Sequence, residues 1–89
     1  MLTKNINVFL FPNPVKHTLN IQVNGSVSSP IVMQVSDLNG RTIYVERKNI
    51  PTSSATITLD VKEWRPQVYV IKILDSKNQV ITTQKFQKM

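Results

Sequence analysis

The chain has 89 residues, 40% of them hydrophobic, with two glycines, five prolines and no cysteine. That is enough for one domain with one core, too little for a second lobe facing it across a deep cleft, and the fold must stand on packing without disulfides. Eleven Lys and Arg against five Asp and Glu give a formal charge of +6; the basic residues are scattered and only the end, with Lys77, Lys85 and Lys88 and no acid after Asp75, is one-signed, so no nucleic-acid footprint is expected.

In chain order, Met1 to Asn5 lack the apolar core of a secretory signal, and the longest apolar run, Val8 to Phe11, is far short of a membrane span, so no membrane insertion is expected. Ile6 to Phe11 reads as a first strand. Pro12-Asn13-Pro14 must end its pairing, because proline has no N–H to give to a sheet. The expected result is a stiff passage from one sheet to the other, with Asn13 held extended before Pro14 and its amide bonding backbone groups left unpaired at the corner. Thr18 to Val23 alternates, with Leu19, Ile21 and Val23 inward, the period of a half-buried strand.

After the polar loop Asn24-Gly25-Ser26 to Pro30, Ile31, Met33 and Val35 form the inward set of a third strand. Asn39-Gly40 suits a type I′ turn with two positive φ angles, pairing Ile31 to Asp37 antiparallel with Arg41 to Arg47, whose inward residues are expected to be Ile43 and Val45. A second loop, Ile50 to Ser54, leads to Ala55, Ile57, Leu59 and Val61 as the inward face of a fifth strand. Lys62-Glu63-Trp64 suggests one helical turn stopped by Pro66. Val68 to Leu74 is apolar on both faces, as a central strand covered on both sides would be. Asp75-Ser76-Lys77-Asn78 is a tight connection with Asn78 left-handed, and Gln79 to Phe86 closes the series. Seven short strands separated by turn signals imply an all-β, immunoglobulin-like sandwich of antiparallel strands, with a small barrel as the rival.

Catalytic chemistry finds no foothold. His17 stands alone, without cysteine or a neighbouring acid, and reads as a loop imidazole facing water; Asp37 and Asp60 fit turn and surface roles. No glycine-rich phosphate loop is present, and no cofactor or metal is expected. Trp64, with Pro66 close by, reads as the cap of one end of the core, although Trp64, Tyr44 and Tyr69 could also stack on a sugar ring or base.

Taken together, Phe11-Pro12-Asn13-Pro14, Leu19-Asn20-Ile21, Asp37-Leu38-Asn39-Gly40-Arg41, Trp64 to Tyr69 and the final Lys85-Phe86-Gln87-Lys88 are in the order of a known pattern. The chain resembles, over about Val8 to Met89, the type A C-terminal sorting domain of the type IX (Por) secretion system. Two departures stand out: Gln67 replaces the glycine of that family's Gly-x-Tyr before Tyr69, and Trp64 stands where leucine is usual. The resemblance implies a secretion address, not an enzyme. An upstream cargo in the same chain would be carried across the outer membrane from the periplasm of a Gram-negative bacterium to its surface or beyond. An outer-membrane translocon or shuttle protein would recognise the domain, and a sortase-like peptidase would remove it. Residues 1–7 would then be the remnant of a linker, or the start of the first strand, and 8–89 the sorting domain.

An edge strand offers unpaired backbone groups to a partner strand. On that ground Lys85, Phe86, Gln87, Lys88 and Met89 are the expected recognition residues, with Phe86 either an apolar anchor or the last piece of the core. Pro12, Asn13, Pro14, Asp37, Asn39, Gly40, Arg41 and Tyr69 are expected to be mainly structural. Deleting Gln84 to Met89 should strand a fused reporter in the periplasm while the remaining fold largely survives. The alternative from another class is an immunoglobulin-like carbohydrate-binding or adhesive module using an exposed Trp64 and Tyr44.

Overall fold

The computed structural model describes residues 6–51 and 54–89. The leading residues 1–5 and Thr52–Ser53 of the second polar loop lie outside the described residues. Among the described residues there are seven strands and no helix: β1 (Asn7–Phe11), β2 (Thr18–Asn24), β3 (Ile31–Asp37), β4 (Thr42–Lys48), β5 (Ser54–Asp60), β6 (Val68–Leu74) and β7 (Val80–Gln87). They form two antiparallel sheets, ordered β1-β2-β5 and β4-β3-β6-β7. This is the expected sandwich, with β4 paired antiparallel to β3 as expected.

Period-two alternation builds the core. Leu19, Ile21 and Val23 from β2, and Ile57 and Leu59 from β5, meet Ile31, Met33, Val35, Ile71 and Ile73 from the other sheet, all buried. Each such side chain taken from water contributes about 1.5–3 kcal/mol, which is how a chain without cysteine holds together.

Four expectations are corrected. On β4, Ile43 and Val45 are 43% and 58% exposed and face outward. The pairing slips between Val35 and Ser36, which sets Tyr44 opposite Val35 and Glu46 opposite Met33. The half-buried pair satisfies itself, Tyr44 Oη donating to Glu46 Oε1 at 2.7 Å.

The Asn39-Gly40 turn is not type I′, since Asn39 has no positive φ and only Gly40, at +85°, does. Gly40 N donates to the Asp37 carbonyl and Asp37 N to that of Arg41, a type I turn followed by a left-handed residue. The Asp37 carboxylate selects it: Oδ1 accepts from Asn39 N at 3.0 Å and from Arg41 N at 2.9 Å, ties a type I′ turn does not offer. The β6–β7 hairpin repeats this design, with Asp75 Oδ1 accepting from Lys77 N and Gln79 N and Asn78 at φ +62°.

Residues 62–64 form a turn closed by Trp64 N donating to the Val61 carbonyl at 3.0 Å, not a helical turn. Finally, Pro12-Asn13-Pro14 does not carry the chain between sheets. β1 and β2 are neighbours in one sheet, Phe11 opposite Asn20. The prolines exclude a tight turn, so the reversal becomes a wide loop, and its far side reaches the other sheet.

Candidate recognition site

The β1–β2 loop, the β3–β4 hairpin, the β5–β6 connection and the end of β7 all fall at one pole of the sandwich, because Asp37 pairs with Tyr69 and Tyr69 with Phe86 across adjacent strands. Every motif residue singled out in the sequence is therefore at, or next to, this pole. Residues up to 76 positions apart are brought together.

The loop clamps the last strand. Asn13 precedes Pro14, which favours an extended backbone, and its carboxamide lies along the outer edge of β7. There Oδ1 accepts from Gln87 N at 2.9 Å and Nδ2 makes a long contact with the Lys85 carbonyl at 3.5 Å. Val15 continues the pairing as a parallel bridge with Lys88: Val15 N donates to the Gln87 carbonyl at 2.8 Å and Met89 N to that of Val15 at 2.9 Å. Further along the same edge, Gln84 Nε2 donates to the Val8 carbonyl of β1 at 2.9 Å. Asn13 thus does bond backbone groups otherwise left open, but those of the terminal strand.

This corrects the picture of an open edge at the terminus. Four outward backbone groups, the carbonyls of Lys85 and Gln87 and the N–H groups of Gln87 and Met89, are already engaged by residues 13–15. Phe86 is 1% exposed and completes the core, and Lys88 is 6% exposed, with its N bonded to the Gln67 carbonyl and its Nζ donating to the main-chain oxygen of Met89. Lys85, Gln87 and Met89 face solvent.

Aromatic rings fill the pole behind the clamp. Trp64 is half-buried, with ring centroids 5.9 Å from Tyr44, 5.2 Å from Tyr69 and 6.4 Å from Phe86. Tyr69 and Phe86 stack at 5.5 Å, within the spacing at which aromatic pairs attract beyond simple burial. Tyr69 Oη donates to the Arg65 carbonyl four residues upstream at 2.6 Å, the tyrosine corner of immunoglobulin-like sandwiches. Trp64 is the expected end cap, and neither it nor Tyr44 is an exposed platform for a sugar ring.

Beside this cluster the Asp37 hairpin borders an open pocket of about 280 Å³ lined by Arg41, Arg65, Gln67 and Tyr69. Asp37 is held below the usual carboxylate range, chiefly by the Arg41 N–H, against opposing desolvation and with help from the Arg41 side chain, whose Nε lies 3.3 Å from Oδ2. Tyr44 is held above its ordinary value by donating to Glu46. Gln67 has no positive φ, so this turn has no need of the glycine found elsewhere at that position. His17 faces solvent and Asp60 Oδ1 accepts from Lys62 N. Among the described residues no three His, Cys, Asp or Glu side chains are grouped to hold a metal ion.

Val15, Gln84 and Arg65 were missed by reading the sequence. Val15 carried a signal, a single apolar residue set between Pro14 and the polar Lys16-His17; the other two carried none, since their roles are set by distant backbone.

The fold and the pole define a small antiparallel sandwich whose distinguishing feature is a clasped carboxyl-terminal strand. The chain belongs to the secretion system C-terminal sorting domain family, whose model matches residues 9–88. The match is to the family as a whole and does not separate its subtypes. No curated protein matches the chain. Its role is that of a sorting signal for type IX secretion, which engages that machinery and directs export to the surface or exterior of a Gram-negative cell. The family is not catalytic, and the adhesive reading is not favoured.

Proposed function

We propose that the export machinery reads the clasped pole, through the exposed Lys85, Gln87 and Met89 presented beside Pro12, Asn13 and Pro14, with Phe86 and Lys88 holding that strand in place from within. The observation that carries this is the pairing of residues 13–15 with 85–89, which fixes the terminal strand in one geometry and leaves alternate side chains outward. A fixed surface is recognised at lower ordering cost than a loose tail. Asp37, Asn39, Gly40, Arg41 and Tyr69 support the pole as structure.

In this reading an outer-membrane translocon or shuttle protein takes the domain from the periplasm together with its upstream cargo. A sortase-like peptidase then cuts before Val8, in the linker to which residues 1–7 belong, although Asn7 already opens β1.

The test is a periplasm-directed reporter fused ahead of this chain in a cell with a type IX system. Lys85→Glu combined with Gln87→Glu leaves the core untouched and should keep the reporter in the periplasm while the purified domain melts as the parent does. Reporter outside the cell at the parent level would remove the assignment to these residues.

A further inference from the structure

β6 is apolar on both faces, yet the sandwich covers only one. Tyr69, Ile71 and Ile73 are buried, while Val68, Val70 and Leu74 are half-buried on the outer face of the four-stranded sheet. Cross-strand pairing shows what surrounds them. One row across the sheet is Arg47, Val32, Leu74 and Val80, and the next is Val45, Gln34, Lys72 and Thr83. A third places Ser36 beside Val70 and Lys85, with Ile43 near the break in pairing.

This face is cationic and apolar together: Arg47, Lys72 and Lys85 are its charges, and none of its outward residues is Asp or Glu. Glu46, the one acid on β4, lies on the opposite face with Met33. Ile43, Val45 and Val80 stand 43%, 58% and 55% exposed. The outer face of the other sheet is different in kind: its rows Phe9-Gln22-Thr56 and Phe11-Asn20-Thr58 carry no charge, and the next pair, Thr18 with Asp60, adds an acid and no base.

We infer that the outer face of β4-β3-β6-β7 is a docking surface for a protein partner whose own surface is apolar and carboxylate-bearing. Charge complementarity selects that occupant. A second copy docked face to face would set Arg47, Lys72 and Lys85 against their own duplicates with no carboxylate between them, a like-charge cost. An anionic membrane gains little from three cations, and no aromatic ring on this face anchors it at a lipid interface. A protein surface with acids among aliphatic residues satisfies both features at once.

The inference rests on the sorting reading, in that the partner belongs to the export machinery; Lys85 belongs both to the clasped pole and to this face, so the test uses Val45 and Arg47 of β4, which take no part in the clasp. In the reporter fusion described above, Val45→Asp and Arg47→Glu are made singly, with Thr56→Glu on the opposite sheet as control. Both changed positions are exposed, and Arg47→Glu removes no apolar group, so the melting of each purified domain should stay close to the parent's. The expected result is that each face variant lowers exported reporter about tenfold or more while Thr56→Glu exports normally.

Parent-level export by both face variants overturns the inference, as does an equal loss with Thr56→Glu. Binding of the parent domain to phosphatidylglycerol-rich vesicles that Arg47→Glu abolishes overturns it in favour of a membrane. A concentration-dependent dimer in sedimentation, lost with Val45→Asp, overturns it in favour of self-association. Failure of the unmutated domain to export the reporter strikes the sorting reading itself, and is told apart because it appears without any substitution.

Discussion

Truncating Phe86 tests whether the terminal strand is part of the folded body. Its ring is 1% exposed, stacks on Tyr69 at 5.5 Å and lies 6.4 Å from Trp64. Phe86→Ala removes that burial and leaves a cavity among rings that cannot all close over it, a loss of about 3–5 kcal/mol. A small domain has only about 5–15 kcal/mol in total, so the midpoint of thermal unfolding should fall by at least about 12 °C. Deleting 84–89 costs more. It removes the same ring and also the bonds Gln87 N to Asn13 Oδ1, Val15 N to Gln87 O, Lys88 N to Gln67 O and Met89 N to Val15 O. The expected product is an unfolded chain, the opposite of the outcome the sequence suggested for that deletion. Trp64 is the one tryptophan and sits in the affected cluster, so urea titration followed by its fluorescence measures both variants. A Phe86→Ala loss below about 1 kcal/mol, or a truncated chain with the parent's cooperative transition, would refute the placing of β7 in the core.

Three further outcomes are expected. Tyr69→Phe keeps the ring but strips the bond to the Arg65 carbonyl, costing about 1–3 kcal/mol in urea unfolding; no change would mean the corner is not stabilising. Asn13→Ala loses one good and one long hydrogen bond at an exposed position, so about 1 kcal/mol is expected, with hydrogen exchange at Gln87 N–H accelerated more than at the core strands. The carboxyl of Asp37 titrates below the ordinary aspartate value of about 3.9 in the fold, so its contribution is present in full above that value and is lost as pH falls through the lower folded one. The melting temperature of the parent should exceed that of Asp37→Asn by a constant margin at neutral pH and lose that margin on acidification below about pH 4; a margin independent of pH would refute the role of the charge.

Much of the architecture was legible because it rests on local pattern. Leu19-Ile21-Val23 and Ile57-Leu59-Val61 alternate cleanly, and such strands have one face that water rejects, so both their existence and their orientation follow. Orientation failed at β4, where Ile43 and Val45 alternate equally well. There the break at Val35/Ser36 and the reach of Tyr44 to Trp64 decide the face, and neither is a property of the strand by itself. The hairpin at 37–41 was placed correctly and typed wrongly, because Asn-Gly was read without the aspartate before it. The repeated Asp-x-x-Gly and Asp-x-x-Asn at 37–40 and 75–78 held that information. The clasp at the pole was invisible for a different reason: Asn13 to Gln87 is a contact between the two ends of the domain, set by topology.

The clasp also bears on how export defects in this domain are to be understood. Its residues hold the fold and present the surface together, since Asn13 and Val15 contact the strand whose outward side chains are proposed as the signal. A substitution there lowers export either by loosening the pole or by changing what is displayed, and the two differ in a measurable way. Loosening couples export to stability, so that a stabilising change elsewhere restores both. Display does not, so Lys85 and Gln87, exposed and outside the core, should give export defects that no gain in melting temperature rescues. Phe86 and Tyr69 should give defects that it does. That contrast separates the address from the body that carries it.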